Sequence, residues 1–84
     1  MKMKYFAWIR ERVGLEEEDV SLPDDVSDIG ALLAWQATRG EQYAAAFSDP
    51  QIIRVALDMK LENDLTKPLT GVSEIALFPP MTGG

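Results

Sequence analysis

The chain lacks two residue types on which many catalytic sites depend. It contains no cysteine and no histidine among its 84 residues. The first absence excludes a disulfide framework and a thiol nucleophile. The second removes the commonest metal ligand and the usual general base at neutral pH. The side chains alone therefore do not predict a self-sufficient enzyme, a metal site or a bound cofactor.

Long apolar runs and cationic residues are also scarce. The apolar run from Tyr5 to Ile9 stops at Arg10, which makes it too short for a signal peptide or for the roughly 20 residues of a membrane span. Eight lysines and arginines stand against 14 acidic residues, and the formal net charge is −6. Because phosphate-rich surfaces attract basic proteins, we expect no nucleic-acid partner, no membrane partner and a cytoplasmic location.

What the chain does contain predicts one α+β domain. Hydrophobic residues make up 46% of the chain and charged residues 26%, as in ordinary globular proteins. Alternating and β-branched residues predict strands at five places: 3–9, about 19–22, 52–57, 60–62 and 74–78. A turn is expected at 10–14, and Ile53, Val55 and Leu57 are the expected inward side chains of the third strand.

The helical signal is strongest after Ser27, a residue type that often caps a helix N-terminus. Ile29, Leu32 and Leu33 then recur at helical spacing and predict a buried face, and Gly40 is the expected stop. A shorter helical piece is predicted over 42–47.

Two conspicuous groups of residues have structural interpretations. The four adjacent acids at 16–19 lack the spacing of a calcium-binding loop, so we interpret them as a solvated loop. Trp8 and Trp35 are expected to be half-buried. Tryptophan is enriched at interfaces, which keeps Trp8 as a weaker candidate for partner contact.

The most informative segment is the last one, Phe78-Pro79-Pro80-Met81-Thr82-Gly83-Gly84. Two prolines hold a chain stiff, and two terminal glycines can enter a channel that any Cβ would block. We expect a folded domain over 1–78 and a flexible tail over 79–84 that can project roughly 20 Å. Taken alone, a small-residue end is also compatible with an incidental tail.

Motifs at both ends of the chain carry a family resemblance. Residues 74–84 read E-I-A-L-F-P-P-M-T-G-G, Phe6-Ala7 is followed by Arg10-Glu11 and Gly14, and Pro68-Leu69 precedes the last turn. This pattern resembles the small-subunit family of molybdopterin synthase (the MoaD family), whose members are ubiquitin-like sulfur carriers. The resemblance implies a β-grasp fold: a mixed sheet packed on one main helix, with the first and last strands parallel at its centre. The chain departs from the usual family pattern at 57–58, at 71–74 and at Met81.

The resemblance also implies a chemistry. An E1-like adenylating enzyme would use ATP to adenylate Gly84, and a desulfurase or rhodanese-type donor would supply the sulfur of a Gly84 thiocarboxylate. The large subunit of molybdopterin synthase would then accept the tail, so the chain acts as a co-substrate and binds no cofactor itself. The partner-contact residues implied are Phe78, Pro79, Pro80, Met81, Thr82 and Gly83, with Phe6 and Trp8 as further candidates.

Three alternatives stay open at this point. The chain could be a ubiquitin-like modifier that forms an isopeptide bond through Gly84, because both roles begin with an adenylate. It could deliver sulfur to thiamine or to tRNA. It could also be a binding domain whose tail has no role.

Overall fold

A five-stranded mixed sheet forms the frame of residues 1–80, the part of the chain that this computed structural model describes. Its strands are β1 (Lys2–Tyr5), β2 (Glu17–Asp19), β3 (Arg54–Leu57), β4 (Lys60–Glu62) and β5 (Glu74–Phe78). The helices are α1 (Ala7–Val13), α2 (Ile29–Gln36) and α3 (Glu41–Phe47), with a 3-10 turn at Pro50–Ile52. No helix within this part is long and apolar enough to span a membrane.

The two central strands of the sheet are parallel. The strand order is β2-β1-β5-β3-β4, with β1 parallel to β5 and every other neighbouring pair antiparallel. This confirms the expected mixed sheet with its first and last strands paired at the centre. The helical layer contains α1 and α3 beside α2, so three short helices rather than one main helix cover the sheet.

The core lies between one face of the sheet and these helices. Each central strand alternates between buried and more exposed residues, and Met3, Tyr5, Ile75 and Leu77 face inward. The predicted inward sets are confirmed: Ile29, Leu32 and Leu33 of α2, and Ile53, Val55 and Leu57 of the third predicted strand, are all buried. The opposite face of the sheet is left open.

The predicted strand at 3–9 is wrong beyond Tyr5. The chain leaves the sheet at Phe6, and α1 occupies the rest of that stretch and the predicted turn at 10–14. Ile9 and Val13, four residues apart, bury one side of α1, so a helical period replaces the strand period. Gly14 ends the helix with φ 88°, in the left-handed conformation that glycine adopts without strain.

The interpretation of the acidic run as a solvated loop is also wrong, and the strand predicted at about 19–22 begins two residues earlier, at Glu17. Strand β2 covers Glu17–Asp19 and pairs with β1. The lysines of β1 explain the difference: Lys2 lies opposite Asp19 and Lys4 opposite Glu17, and the Lys2 Nζ is 3.1 Å from a Glu17 carboxylate oxygen. Opposite charges on neighbouring strands stabilise the pairing.

Several predicted boundaries move by one to four residues. The cap of α2 is Asp28 rather than Ser27, because the Asp28 Oδ1 accepts a hydrogen bond from the Ala31 N–H at 2.8 Å. The helix ends at Gln36, and Gly40 precedes α3 instead of closing α2. The third predicted strand loses its first residues to the 3-10 turn. The predictions of β4, β5 and the short helix at α3 are confirmed.

Candidate functional site

The base of the C-terminal tail is held at the centre of the sheet. Leu77 of β5 lies opposite Tyr5, and its carbonyl accepts a hydrogen bond from the Phe6 N–H at 3.1 Å. Phe78 lies opposite Arg54 on β3. Pro79 and Pro80 then continue past the sheet, where their missing N–H groups leave no donor unpaired. The tail therefore starts from a strand that is bonded on both sides.

The remaining predicted tail residues lie outside the described part of the chain. They are Met81, Thr82, Gly83 and Gly84. The division into a domain over 1–78 and a flexible tail over 79–84 stays a prediction, as do the roles assigned to these four residues.

An apolar patch surrounds the tail base on the open face of the sheet. We define it as Phe6, Leu61 and Phe78. Phe6 is 45% and Leu61 61% exposed, and Phe78 is half-buried. Ala56 lies opposite both Leu61 and Ala76, so two small side chains make a shallow floor between the larger ones. Exposed apolar area that surrounds a functional segment is typical of a protein-binding surface.

The alternation along each strand determines which side chains reach this patch. Tyr5 and Leu77 are buried, so their neighbours Phe6 and Phe78 face the open side next to each other. Phe6 keeps an extended conformation, with φ −131° and ψ 155°, before α1 begins. The structure thus brings together two of the predicted contact residues, Phe6 and Phe78, at the point where the tail leaves.

A groove continues from the patch along the start of β3 and the loop after β4. Its volume is about 600 Å³, and its lining includes Ile53, Leu61, Leu65, Phe78 and Pro80. Arg54 also lines it, and the Arg54 guanidinium donates to the Gln51 carbonyl at 3.2 Å. The groove therefore combines apolar side chains with one cation, Arg54 at the tail base, and one carboxylate, Glu62.

Trp8 does not join the patch. It lies on α1, in the helical layer, where it is half-buried against the core. The guanidinium of Arg12 lies 4.5 Å from the centre of its ring, which is within the range of a cation–π contact. The expectation that both tryptophans are half-buried is confirmed.

Sequence reasoning missed Leu61 and Arg54 as neighbours of the tail. Leu61 belongs to a correctly predicted edge strand, but its side of the sheet follows only from its pairing with Ala56. Arg54 approaches the tail because β3 runs antiparallel to β5 and starts where β5 ends. The one local signal of an exposed apolar side chain was Leu61 itself, which stands between the charged residues Lys60 and Glu62.

A polar cluster on the other side of the molecule joins β2 to the helices. The Glu18 carboxylate accepts hydrogen bonds from the Tyr5 hydroxyl at 2.7 Å, the Tyr43 hydroxyl at 2.8 Å and both Arg39 nitrogens at 2.8 and 2.9 Å. Gln36 donates to the Tyr5 hydroxyl at 2.8 Å. Within residues 1–80, no buried side-chain polar atom lacks a partner.

The cluster changes the acidity of its members. The hydrogen bonds from Arg39, with smaller contributions from Tyr5 and Tyr43, outweigh desolvation and lower the pKa of Glu18 to about 2. Burial and the bond to Glu18 raise the pKa of Tyr5. Its buried polar atoms all have partners within residues 1–80, and the cluster links the sheet to the helices, so we interpret it as structural.

No group of three potential ligands that could hold a metal ion occurs among residues 1–80. The described residues thus place an exposed apolar patch beside the point where the tail leaves the sheet. The sheet is mixed, its central strands β1 and β5 are parallel, and the helices pack on one face. The C-terminal strand β5 lies between β1 and β3. Together these features define a ubiquitin-like β-grasp domain.

Comparison with known proteins places this domain in a family. The ThiS family model matches residues 3–84, and the chain belongs to this family. It is 32% identical to the molybdopterin synthase sulfur carrier subunit of Escherichia coli, with 100% of this chain and 99% of the relative covered. The Haemophilus influenzae protein of the same name is 31% identical with the same coverage.

A solved structure shares the fold. SAMP1 from Haloferax volcanii superposes with a TM-score of 0.64 at 23% identity, covering 100% of this chain and 98% of that one. The β-grasp architecture expected from the sequence is therefore confirmed, as is the resemblance to the molybdopterin synthase small-subunit family.

Proposed function

We propose that this chain is the sulfur carrier subunit of a molybdopterin synthase. The observation that carries the proposal is the position of the tail base. The central strand β5 ends at Phe78, beside the exposed ring of Phe6, and the chain continues through Pro79 and Pro80. A rigidly anchored tail next to an apolar docking patch suits a protein that presents its C-terminus to a partner. The names of the two relatives above support the same role.

The reacting group in this proposal is the carboxylate of Gly84. A carboxylate with a pKa near ~3.5 is ionised at neutral pH and is a poor electrophile. An E1-like adenylating enzyme would join it to the AMP part of ATP, with pyrophosphate as the leaving group. A sulfide equivalent from a desulfurase or rhodanese-type donor would then attack the acyl carbon. AMP leaves, and a thiocarboxylate remains on Gly84.

The large subunit supplies the rest of the chemistry in this scheme. The tail enters its active site, where the thiocarboxylate sulfur attacks a carbon of the pyranopterin precursor and displaces an oxygen as water. A second water then cleaves the bond between this sulfur and the Gly84 acyl carbon, so the sulfur stays on the pterin and Gly84 returns as a carboxylate. Two carriers used in turn provide the two dithiolene sulfurs, in a heterotetramer with one carrier at each end of a large-subunit dimer. The chain is a co-substrate, since neither cysteine nor histidine is available to it as nucleophile or base.

The docking surface divides into two parts. Phe6, Leu61 and Phe78 pack against the large subunit, because apolar and aromatic side chains near the centre of an interface contribute most of its binding energy. Met81 and Thr82 line the entry channel, and Gly83 passes its narrowest point because it has no Cβ. Trp8 makes a smaller contribution, since it lies in the helical layer.

Intact mass spectrometry tests the carrier chemistry. The protein is incubated with its activating enzyme, ATP and a sulfur donor, alongside a variant that lacks Gly84. The expected result is a mass increase equal to exchanging one oxygen for one sulfur, seen only in the complete chain. If the activating enzyme charges another carrier but not this one, the proposal fails. Conjugates of higher mass, linked from Gly84 to lysines, would instead identify a ubiquitin-like modifier.

A further inference from the structure

The sheet has one open edge that is complementary to itself. Strand β4 is the last in the sheet order, and within residues 1–80 only β3 pairs with it. Leu57 and Lys60 flank the two-residue turn between these strands. In such hairpins the flanking pair is hydrogen-bonded and the next pair is not. The N–H and C=O groups of Leu61 therefore point away from β3, toward the open edge.

We propose that this edge binds the β4 strand of a second copy of the chain. The two strands run antiparallel around a two-fold axis at Leu61. Directly opposed residues of this type exchange both backbone hydrogen bonds. The same symmetry joins two five-stranded sheets into one continuous sheet, with both Leu61 side chains on its open face.

The charges of the strand fit this register. Pairing around Leu61 places Lys60 of each copy opposite Glu62 of the other, in positions where side chains approach closely. Neither residue forms an ion pair within residues 1–80, where the four salt bridges involve other side chains. Among the described residues, the Glu62 carboxylate accepts a hydrogen bond only from the neighbouring Asp64 N–H, at 3.1 Å. Two new ion pairs can therefore form without breaking an existing one.

Apolar exposure at the same place favours the pairing. Leu61 is 61% exposed and Met59, at the tip of the hairpin, is 88% exposed. Met59 also has φ 71°, a left-handed conformation that favours glycine. The two-fold register brings Met59 opposite Asn63 of the second copy and sets the two Leu61 side chains side by side, so the pairing reduces the exposure of both apolar side chains.

The other edge of the sheet does not allow this arrangement. Strand β2 consists of Glu17, Glu18 and Asp19, so an antiparallel copy would place like charges opposite each other. Strand β4 is thus the edge in residues 1–80 that favours a second copy. Three residues make a small contact, and interfaces below the usual 1,200 Å² or so are weak and transient.

Analytical ultracentrifugation of the full chain up to millimolar concentration tests the proposal through charge exchange. We expect wild type to form a reversible dimer, and Lys60→Glu and Glu62→Lys each to weaken dimerisation about tenfold or more, because each variant creates two like-charge contacts. The double variant K60E/E62K should recover wild-type dimerisation. An equimolar mixture of the two single variants should form heterodimers, because that pairing restores both ion pairs.

The design separates register from net charge. Glu62→Lys changes the net charge from −6 to −4, and Lys60→Glu changes it to −8. If repulsion between the net charges of the two copies alone controlled dimerisation, Glu62→Lys would strengthen it and Lys60→Glu would weaken it. Lys67→Glu is the matched control, since Lys67 is an exposed lysine outside β4 and the substitution also gives −8. It should leave dimerisation nearly unchanged.

Three results would overturn the proposal. They are a monomeric wild type at millimolar concentration, stronger association of Glu62→Lys, and failure of the double variant to recover. Circular dichroism of each variant at low concentration confirms that it is folded before the comparison is made.

Discussion

Replacing Glu18 by glutamine would break the polar cluster that joins β2 to α2 and α3. The carboxylate accepts four hydrogen bonds, two of them from the Arg39 guanidinium. Its side chain is only 16% exposed, so water cannot replace these partners fully. Glutamine has one acceptor oxygen and turns two N–H donors toward groups that also donate. The variant therefore loses the ion pair and leaves donors poorly paired.

The magnitude follows from the acidity of Glu18. Its pKa falls from an ordinary 4.5 to about 2 in the folded protein, and each pKa unit corresponds to 1.36 kcal/mol, or about 3 kcal/mol in total. Some screening by water applies, so we expect Glu18→Gln to lower the free energy of unfolding by about 2–3 kcal/mol at pH 7. Because the folded pKa is depressed, this stabilisation is present above pH 4.5 and is lost as the pH falls through about 2.

Urea denaturation followed by circular dichroism measures this effect at pH 7, near pH 3 and near pH 2. The difference between wild type and Glu18→Gln should fall by about half near pH 3 and nearly vanish near pH 2. Glu11→Gln is the control, because Glu11 is exposed and makes no salt bridge within residues 1–80. A loss of stability that stays constant between pH 7 and pH 2 would refute the electrostatic argument.

Three further predictions concern the tail base, the tail and the β3–β4 turn. Phe78→Ala should weaken binding to the large subunit at least about tenfold. The control Leu15→Ala removes a 42% exposed side chain outside the patch and should leave the affinity unchanged. Equal affinities of the two variants in calorimetry would contradict the docking model. Gly83→Val should abolish sulfur transfer in a reconstituted synthase without changing the melting temperature, and unimpaired transfer would count against threading of the tail. Met59→Gly should stabilise the fold by about 0.5–1 kcal/mol, because Met59 has φ 71°; a lowered urea midpoint would show that the turn is not strained.

Local sequence predicted those elements whose partners lie close along the chain. Strands β3, β4 and β5 were found because apolar periodicity and turn residues mark their ends. The boundary between β1 and α1 was missed, since Phe6 to Ile9 fits both a strand and a helix period. Strand β2 was predicted about two residues too late in the chain, because its position depends on pairing with Lys2 and Lys4 of β1 and an acidic run has little strand propensity of its own.

The candidate site divides in the same way. A stiff segment that ends in two unhindered glycines was predicted from residues 78–84, because glycine and proline act through their own backbone geometry; the chemistry of Gly84 was inferred from the family resemblance and stays a proposal. The surroundings of the tail were not readable, since Leu61 and Arg54 reach it only through strand pairing. Trp8 was kept as a weaker contact candidate because tryptophan is enriched at interfaces, and residue type alone could not show that it lies on α1, away from the patch.

The sequence by itself determined the α+β fold class and the buried faces of α2 and β3, since each depends on residue type and short-range spacing. Only the tertiary structure decided which apolar side chains share the open face, how β4 presents its free edge, and how Glu18 is held by partners from β1, α3 and the loop between α2 and α3. These features depend on strand register, and a shift of one residue would turn every side chain of a strand to the opposite face.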